Sequence, residues 1–159
     1  MNSKLHLTVA AVIERDKQFL MVEETSSGRL VYNQPAGHVE ADESLLDAVV
    51  REVREETAWG FKPEFLIGVY SWRHPIKGDR IIRFTYSGHC FDHQPNQPLD
   101  QGIEQALWLS RDEIHAKEHK LRSPLVTRCL SDYLVNKRFP LDVVQDLDIE
   151  TALRYAVAV

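Results

Sequence analysis

Cysteines, long apolar runs and basic clusters are all scarce in this 159-residue chain. Its two cysteines, Cys90 and Cys129, are far apart and have no Cys or His partners at metal-ligand spacing, so we expect buried free thiols. No apolar run approaches the roughly 18 residues of a membrane span, and no basic segment followed by an apolar one resembles a secretory signal. These absences predict a cytoplasmic protein with neither a disulfide framework nor a membrane partner.

The formal net charge of −5 at pH 7 argues against another class of partner. Proteins that hold a nucleic-acid backbone rely on clustered Lys and Arg, so we expect no nucleic acid here. A small polyphosphate fits better, because metal ions can neutralise it locally. The basic residues that do cluster are Arg73, Lys77, Arg80 and Arg83, which would either steer phosphates or protect an edge hairpin by charge.

Short apolar runs alternate with helical patterns along the chain, whose 43% hydrophobic content suits one substantial core. Strands are expected where these runs are rich in β-branched or aromatic residues: 5–13, 19–22, 65–72, 80–90 and 106–109. Helices are expected over 45–57, near 111–116 and over 124–137, the last one with Ser123 as cap and Pro124 at its first position. We therefore predict one α/β domain over 1–159, with helices on both faces of a sheet and a helical C-terminal segment from about 124. Residues 141–159 have weak signals and suggest at most a terminal helix.

The segment 37–59, GHVEADESLLDAVVREVREETAW, places three acids on one side of a helix. Glu52, Glu55 and Glu56 fall on an arc about 100° wide beside the apolar stripe. Like charges at this spacing destabilise an isolated helix, so a cation that offsets them is expected, and Mg²⁺ prefers such oxygen ligands. Judged by charge pattern alone, a solvated acidic face is the alternative.

The spacing of Gly37, Glu43 and Arg51–Glu56 resembles the Nudix box, GX5EX7REUXEEXGU, in which U is aliphatic. The chain matches seven of its nine fixed positions; Ala58 stands where the box has Gly, and Trp59 where it has an aliphatic residue. Both departures follow the acids, so they concern the exit from the helix more than the chemistry.

Two flanking segments, YNQPAGH before the acids and LRSPLV at 121–126, resemble the NudJ-type phosphatases of the Nudix superfamily, a similarity that runs over roughly residues 6–145. The resemblance implies an α/β/α sandwich around a mixed β-sheet. It also implies a Mg²⁺-dependent hydrolase of phosphoanhydride bonds, in which Mn²⁺ can substitute. The implied reaction releases terminal phosphate from nucleoside di- and triphosphates, and from thiamine pyrophosphate or its pyrimidine pyrophosphate precursor.

Two other functions stay open. An ADP-ribose or dinucleoside polyphosphate pyrophosphatase is the alternative within the fold, because Pro75 lies near the distance past the box at which a Pro or Tyr often marks those families. A nucleotide sensor or interaction module without hydrolysis is the alternative from another class, against which the intact REVREE argues. Both monomer and homodimer are compatible with the sequence.

The resemblance also assigns metal-ligand roles to residues of the box. Glu52 and Glu56 are the strongest ligand candidates and Glu55 is the next, with a backbone carbonyl of Ala36 or Gly37 completing the shell.

Arg51 and Glu43 are implied to bridge loop and helix and to orient those ligands; an ordinary ion pair is the alternative. For the general base, Glu104 is the first candidate, Asp100 the second, and Glu52 itself a third.

Substrate recognition is assigned to Tyr32, Asn33, Gln34 and Arg83. Tyr70 and Trp72 lie on predicted strands and could face the same cleft, although an aromatic residue in a strand is more often part of the core. His38, His74 and His89 belong to no paired motif and are expected to be structural.

Overall fold

The computed structural model describes residues 3–147. Of the unassigned segment 141–159, Leu141–Val143 form one 3-10 turn, and residues 148–159 lie outside the described part of the chain. The described residues include seven strands and three α-helices. The strands are β1 Leu5–Arg15, β2 Gln18–Ser26, β3 Arg29–Asn33, β4 Ala36–His38, β5 Gly60–Arg73, β6 Arg80–Phe91 and β7 Ile103–Ser110. The helices are α1 Leu45–Thr57, α2 Arg111–Ala116 and α3 Pro124–Leu134, and a further 3-10 turn covers Glu118–Lys120.

The sheet is mixed, as predicted. Its main order is β3-β2-β1-β6-β5, with β4 pairing to β1 and β7 pairing to β2. The β1–β6 pair is parallel, whereas the other named strand pairs are antiparallel. The parallel pair matters for function because its register places Thr8 beside Arg83 at the same level of the sheet.

Helices cover both faces of this sheet, so the α/β/α sandwich is confirmed. On one face, Val49 and Val53 of α1 join a core that contains Val9 and Ala11 of β1. On the other face, Val126 of α3 joins a second core that contains residues of β1 and β2. The alternation of β1 side chains supplies both cores, because successive residues of a strand point to opposite faces.

The predicted helices 45–57 and 111–116 agree with α1 and α2, but the third helix ends at Leu134 rather than at 137. The backbone leaves the helix at Val135, and Asn136 then takes a positive φ of 66°, a conformation in which a helix cannot continue. Strands β3 and β4 were not predicted. Both are short and surrounded by Gly, Asn and Pro, which are typical of turns.

The departure from the box at Ala58 has a structural consequence at the end of α1. Ala58 caps the helix in the left-handed conformation, φ 60° and ψ 12°, and donates its N–H to the Arg54 carbonyl. Glycine adopts this conformation without the steric penalty that a Cβ brings. Trp59 then stacks on His93, with ring centroids 4.4 Å apart, and the Arg15 guanidinium lies over the indole at 4.5 Å.

Candidate active site

A single long cleft contains most of the predicted site residues. It runs from the acids of α1, past β4 and over one face of β1, β6 and β5, to the β5–β6 turn and the start of α3. Its carboxylates are Glu24, Glu40, Glu52, Glu55, Glu56, Asp79 and Asp100. Its other polar residues include His6, Thr8, Asn33, His38, Arg51, His74, Lys77, Arg83, Arg122 and Ser123.

Two of the three helix acids are buried, which corrects the expectation of carboxylates on a helix face beside the core. Glu52 is 7% exposed and Glu56 is 6% exposed, whereas the side chain of Glu55 is 44% exposed. The pKa of Glu56 is raised to about 9, mainly by burial and also by the nearby Glu52, Glu24 and Asp100, although the hydrogen bond from the Ala36 N–H opposes this shift. Burial also raises the pKa of Glu52, although hydrogen bonding by Arg51 opposes this shift. These two carboxyl groups therefore lie where negative charge is poorly compensated by the protein.

Arg51 links the loop to the helix, as the resemblance implies. Its guanidinium donates to Glu43 at 2.6 and 2.9 Å, to Glu52 at 2.9 Å and to Glu55 at 3.1 Å. It also donates to the His38 carbonyl at 3.0 Å. The hydrogen bond from Arg51 lowers the pKa of Glu43, so this carboxylate stays ionised. One cation thus fixes the orientation of the acids around it.

The pairing of β4 with β1 separates the two candidate carbonyl ligands. Hydrogen bonds from Ala11 to Pro35 and from Val39 to Leu7 fix the antiparallel ladder, in which hydrogen-bonded pairs alternate with open ones. Gly37 is in a hydrogen-bonded position opposite Val9, so its carbonyl faces β1.

Ala36, in contrast, directs its backbone groups away from β1. Its N–H donates to the Glu56 carboxylate at 3.0 Å. The geometry therefore favours Ala36 over Gly37 as a carbonyl ligand. Gly37 has a different function, because a Cβ at this position would overlap the carboxylate of Glu52.

A divalent metal fits the donor set at this end of the cleft. In residues 3–147, no three His, Cys, Asp or Glu side chains converge at metal-ligand distance, and Arg51 forms hydrogen bonds with Glu52 and Glu55. The available donors are nevertheless hard oxygens: two buried carboxylates with raised pKa values, the exposed Glu55 and the Ala36 carbonyl. This is the ligand chemistry that Mg²⁺ and Mn²⁺ accept.

The structure separates the candidates for the general base. Asp100 lines the cleft, and its backbone N–H donates to the Glu55 carbonyl at 2.9 Å, which ties its loop to α1. Glu104 does not line the cleft. Its carboxylate accepts a hydrogen bond from Thr25 at 2.8 Å on the exposed surface where β7 meets β2. The position of Glu104 does not favour the role that the sequence assigned to it.

Tyr32 and Gln34, predicted to bind substrate, instead hold the fold together. Tyr32 is buried and donates its hydroxyl to Glu23 at 2.6 Å. Gln34 is 2% exposed and donates to the Val126 carbonyl at 2.8 Å. The Tyr32 carbonyl accepts from the N–H of Arg122, so the YNQ and LRSPLV segments contact each other directly.

Asn33 and Arg83 do line the cleft, and both are 6% exposed. The Asn33 Oδ1 and the Arg83 Nε and Nη1 have no hydrogen-bond partner among the described residues. Burial lowers the pKa of Arg83. Such groups are normally satisfied inside a protein, so these atoms are available to a ligand.

Arg83, Thr85 and Ser87 alternate along β6 and share one of its faces. All three are buried, because α3 covers the sheet there. The basic cluster is also divided: Lys77 and Arg83 line the cleft, whereas Arg80 donates to Ser71 outside it.

Several cleft residues were not predicted. His6 and His38 contact each other at 3.0 Å between ring nitrogens, and Asp79 lies 3.3 Å from the other nitrogen of His6. His74 accepts N–H groups of the β5–β6 turn, while His89 pairs with Glu64 outside the cleft. The register of β1 against β6 brings His6 and Thr8 into the cleft, and no local pattern in the sequence indicates it.

The cysteines are free, as predicted. Cys129 is buried beside Thr85, with 3.1 Å between Sγ and Oγ1. Cys90 is only half-buried, and Arg15 donates to its Sγ at 3.1 Å.

A family model described as the NUDIX domain matches residues 4–129. The chain is 40% identical to Phosphatase NudJ of Shigella boydii over 145 residues, which is 91% of this chain and 94% of that protein. Phosphatase NudJ of Escherichia coli K12 is 39% identical over the same shares.

A solved NUDIX hydrolase from Nitrosomonas europaea has a TM-score of 0.90 and 48% identity, and the alignment covers 92% of this chain and 99% of that one. A bifunctional NMN adenylyltransferase/ADP ribose pyrophosphatase from Francisella tularensis shares the fold at a TM-score of 0.68 and 20% identity over 84% of this chain and 42% of that one.

The chain belongs to the Nudix hydrolase family and is an enzyme that acts on pyrophosphate bonds. Within that family it is similar to the NudJ phosphatases. No helix between residues 3 and 147 has the length and apolar character to cross a bilayer.

Proposed function

We propose that this enzyme is a Mg²⁺-dependent phosphatase that releases terminal phosphate from nucleoside di- and triphosphates. By the likeness to NudJ, its substrates would extend to thiamine pyrophosphate or its pyrimidine pyrophosphate precursor. We further propose that it works in the cytoplasm as one domain over 1–159.

One observation carries the proposal: the cleft contains buried ionisable groups of opposite sign at separate positions, acids near α1 and a guanidinium on β6. Glu52 and Glu56 are buried carboxyl groups with raised pKa values, and Arg83 is a buried guanidinium with two free donors. Burying a charged group whose charge is incompletely compensated is expensive, so both parts of the cleft favour a ligand of opposite charge. A diphosphate bound together with a divalent cation has that charge distribution.

The chain would divide the work as follows. Glu52, Glu56 and the Ala36 carbonyl would hold the cation, with Glu55 beside them, and Arg51 would keep Glu52 and Glu55 oriented. When bound, Mg²⁺ neutralises phosphate charge and lowers the pKa of a coordinated water. Asp100 or Glu52 would accept the proton of the attacking water. Arg83 would donate to phosphate oxygens along the cleft.

The choice between phosphatase and pyrophosphatase follows from how many groups of the substrate are contacted. An ADP-ribose or dinucleotide pyrophosphatase must discriminate groups on both sides of the cleaved bond. Tyr32 and Gln34 are buried within the fold, so Asn33 is the member of that cluster left for recognition. Because discrimination is limited to the groups that are contacted, we propose broad specificity and release of terminal phosphate.

The test is a panel of nucleoside di- and triphosphates, thiamine pyrophosphate and ADP-ribose, assayed for free phosphate and for pyrophosphate with and without Mg²⁺. We expect phosphate as the product and activity only with metal. The matched control is Glu56→Gln, which should fold normally and lose turnover. Pyrophosphate as the main product of a triphosphate, or ADP-ribose as by far the best substrate, would overturn the phosphatase proposal. Metal-independent turnover, or a fully active Glu56→Gln enzyme, would overturn the metal site.

A further inference from the structure

Trp72 lies at the end of the cleft formed by the β5–β6 hairpin, outside the Nudix box. The register of the sheet fixes its surroundings: Trp72 pairs with Ile81, and Ile81 pairs with His6. The neighbouring cross-strand row contains Tyr70, Arg83 and Thr8. Because residues two apart on a strand share a face, Trp72 and Arg83 belong to the same face in adjacent rows, about 7 Å apart along the strands.

Trp72 is not part of the hydrophobic core, which is the ordinary explanation for an aromatic residue in a strand. Trp59 and Trp108 pack against the core on the α1 side, and Tyr70 packs against the core on the α3 side. Trp72 packs against neither core, is partly exposed and lines the cleft. Part of the large apolar ring of Trp72 is therefore accessible to a ligand in the cleft.

The hairpin around Trp72 is held in a defined shape by hydrogen bonds. The His74 N–H donates to the Asp79 carbonyl at 2.8 Å, and the Gly78 N–H donates to the His74 carbonyl at 2.9 Å. The His74 ring accepts the N–H groups of Ile76 and Lys77, and its centroid lies 5.3 Å from that of Trp72.

Asp79 anchors this turn to the first strand. Its carboxylate accepts the N–H of Lys4 at 2.9 Å and contacts His6 at 3.3 Å. The turn therefore forms a fixed side wall, on which Ile76 is 86% exposed and lines the cleft together with Lys77.

We propose that Trp72 is a stacking platform for the planar heterocycle of a phosphorylated substrate, with Ile81 beside it and the His74–Asp79 turn as the wall. The phosphates would extend past Arg83 towards the acids of α1. The identity of the substrate as a nucleotide or a heterocyclic diphosphate rests on the proposed function, but the ring site does not require turnover.

The first experiment measures binding without hydrolysis. AMP and ribose 5-phosphate carry the same sugar phosphate and differ in the ring, so the ratio of their dissociation constants isolates its contribution. Calorimetry in the presence of Mg²⁺ would compare the wild-type enzyme with Trp72→Ala, Trp72→Phe and the control Trp59→Phe, which changes a tryptophan outside the cleft.

We expect the wild-type enzyme to prefer AMP and Trp72→Ala to lose about 5- to 150-fold of that preference, the range that stacking of one base on an aromatic side chain provides. Trp72→Phe should keep most of the preference, and Trp59→Phe all of it. Equal losses for AMP and ribose 5-phosphate in Trp72→Ala, no loss at all, or no preference in the wild-type enzyme would overturn the proposal.

The second experiment compares the turnover of ADP with that of inorganic tripolyphosphate, which has anhydride bonds and no ring. In Trp72→Ala, kcat/KM for ADP relative to tripolyphosphate should fall by a factor similar to that seen in binding, mainly through KM. A fall confined to kcat would contradict a platform.

The two proposals fail in different ways. An enzyme that prefers AMP through Trp72 but hydrolyses none of the panel would retain the ring site and refute the phosphatase proposal. An active phosphatase whose selectivity for the ring is unaffected by Trp72→Ala would retain the phosphatase proposal and refute the ring site.

Discussion

The side-chain amide of Gln34 donates a hydrogen bond of 2.8 Å to the backbone carbonyl of Val126, in the first turn of α3. It joins the segment that precedes the box to the helix that closes the other side of the cleft. Gln34 is thus a positioning residue, while its neighbour Asn33 faces the cleft. Neighbouring residues of one motif have different roles because an extended chain points them to opposite sides.

Gln34→Ala should therefore destabilise the protein more than it impairs chemistry. The substitution leaves the buried Val126 carbonyl without this partner and opens space in the core, so we expect a loss of about 1–3 kcal/mol in the free energy of unfolding. Urea denaturation measures it. Asn33→Ala is the matched control and should change KM with a smaller effect on stability. If Gln34→Ala instead raised KM with little loss of stability, Gln34 would be assigned to substrate binding.

The raised pKa of Glu56 makes the stability of the metal-free enzyme depend on pH. The folded carboxyl titrates near pH 9 and the unfolded one near its ordinary value of about 4.5, so the folded state keeps a proton that the unfolded state releases between these values. Stability is therefore highest at low pH in this window and falls as the pH rises through 9, by at most about 1.4 kcal/mol per pH unit from this group.

Glu56→Gln should flatten that decline, because the amide does not titrate. Denaturation of the metal-free wild-type and Glu56→Gln proteins between pH 5.5 and pH 9.5 measures the difference. The relative gain of the variant should grow with pH. Parallel stability profiles for the two proteins would show that Glu56 does not titrate in this range.

Asp100 and Glu104 form a pair of variants for locating the general base. Asp100→Asn removes a carboxylate that lines the cleft, so kcat should fall by about 10² to 10⁴, the usual scale for lost acid–base assistance. Glu104→Gln affects a carboxylate bound to Thr25 outside the cleft and should change kcat less than about threefold. Steady-state kinetics at saturating Mg²⁺ separates them. If both variants stay active, Glu52 is left as the base.

Ala58→Gly should stabilise the enzyme without changing its activity. Ala58 occupies a left-handed conformation that costs an L-residue roughly 1–2 kcal/mol, and the higher backbone entropy of unfolded glycine offsets part of that gain. We expect a net increase of about 0.5–1 kcal/mol in the free energy of unfolding, measured by thermal or chemical denaturation. A decrease would indicate that the methyl group contributes packing at the end of α1.

The sequence predicted what depends on local pattern. The resemblance to the Nudix box implied that Arg51 bridges to Glu43, and the helical spacing placed the three acids on one side of α1. Arg83, which was assigned to substrate recognition, does line the cleft.

The pairing of strands that are distant in the sequence could not be predicted from the sequence. The sequence ranked Glu104 ahead of Asp100 as the general base. It could not show that β7 pairs with β2 and places Glu104 on the outer surface, or that the Asp100 N–H bonds to the Glu55 carbonyl beside the cleft. Trp72 and His6 share the cleft only because β5 and β1 both flank β6. Pairings over such sequence separations leave no periodic signal in any one segment.

The space beside Gly37 is filled by the carboxylate at the end of the Glu52 side chain rather than by backbone. A methyl group placed there would move a carboxylate while leaving the strand and helix where they are. A substitution at Gly37 is consequently expected to reduce catalysis while the enzyme still folds. A folded but inactive Gly37→Ala enzyme could therefore be used to capture the cellular substrate without hydrolysing it.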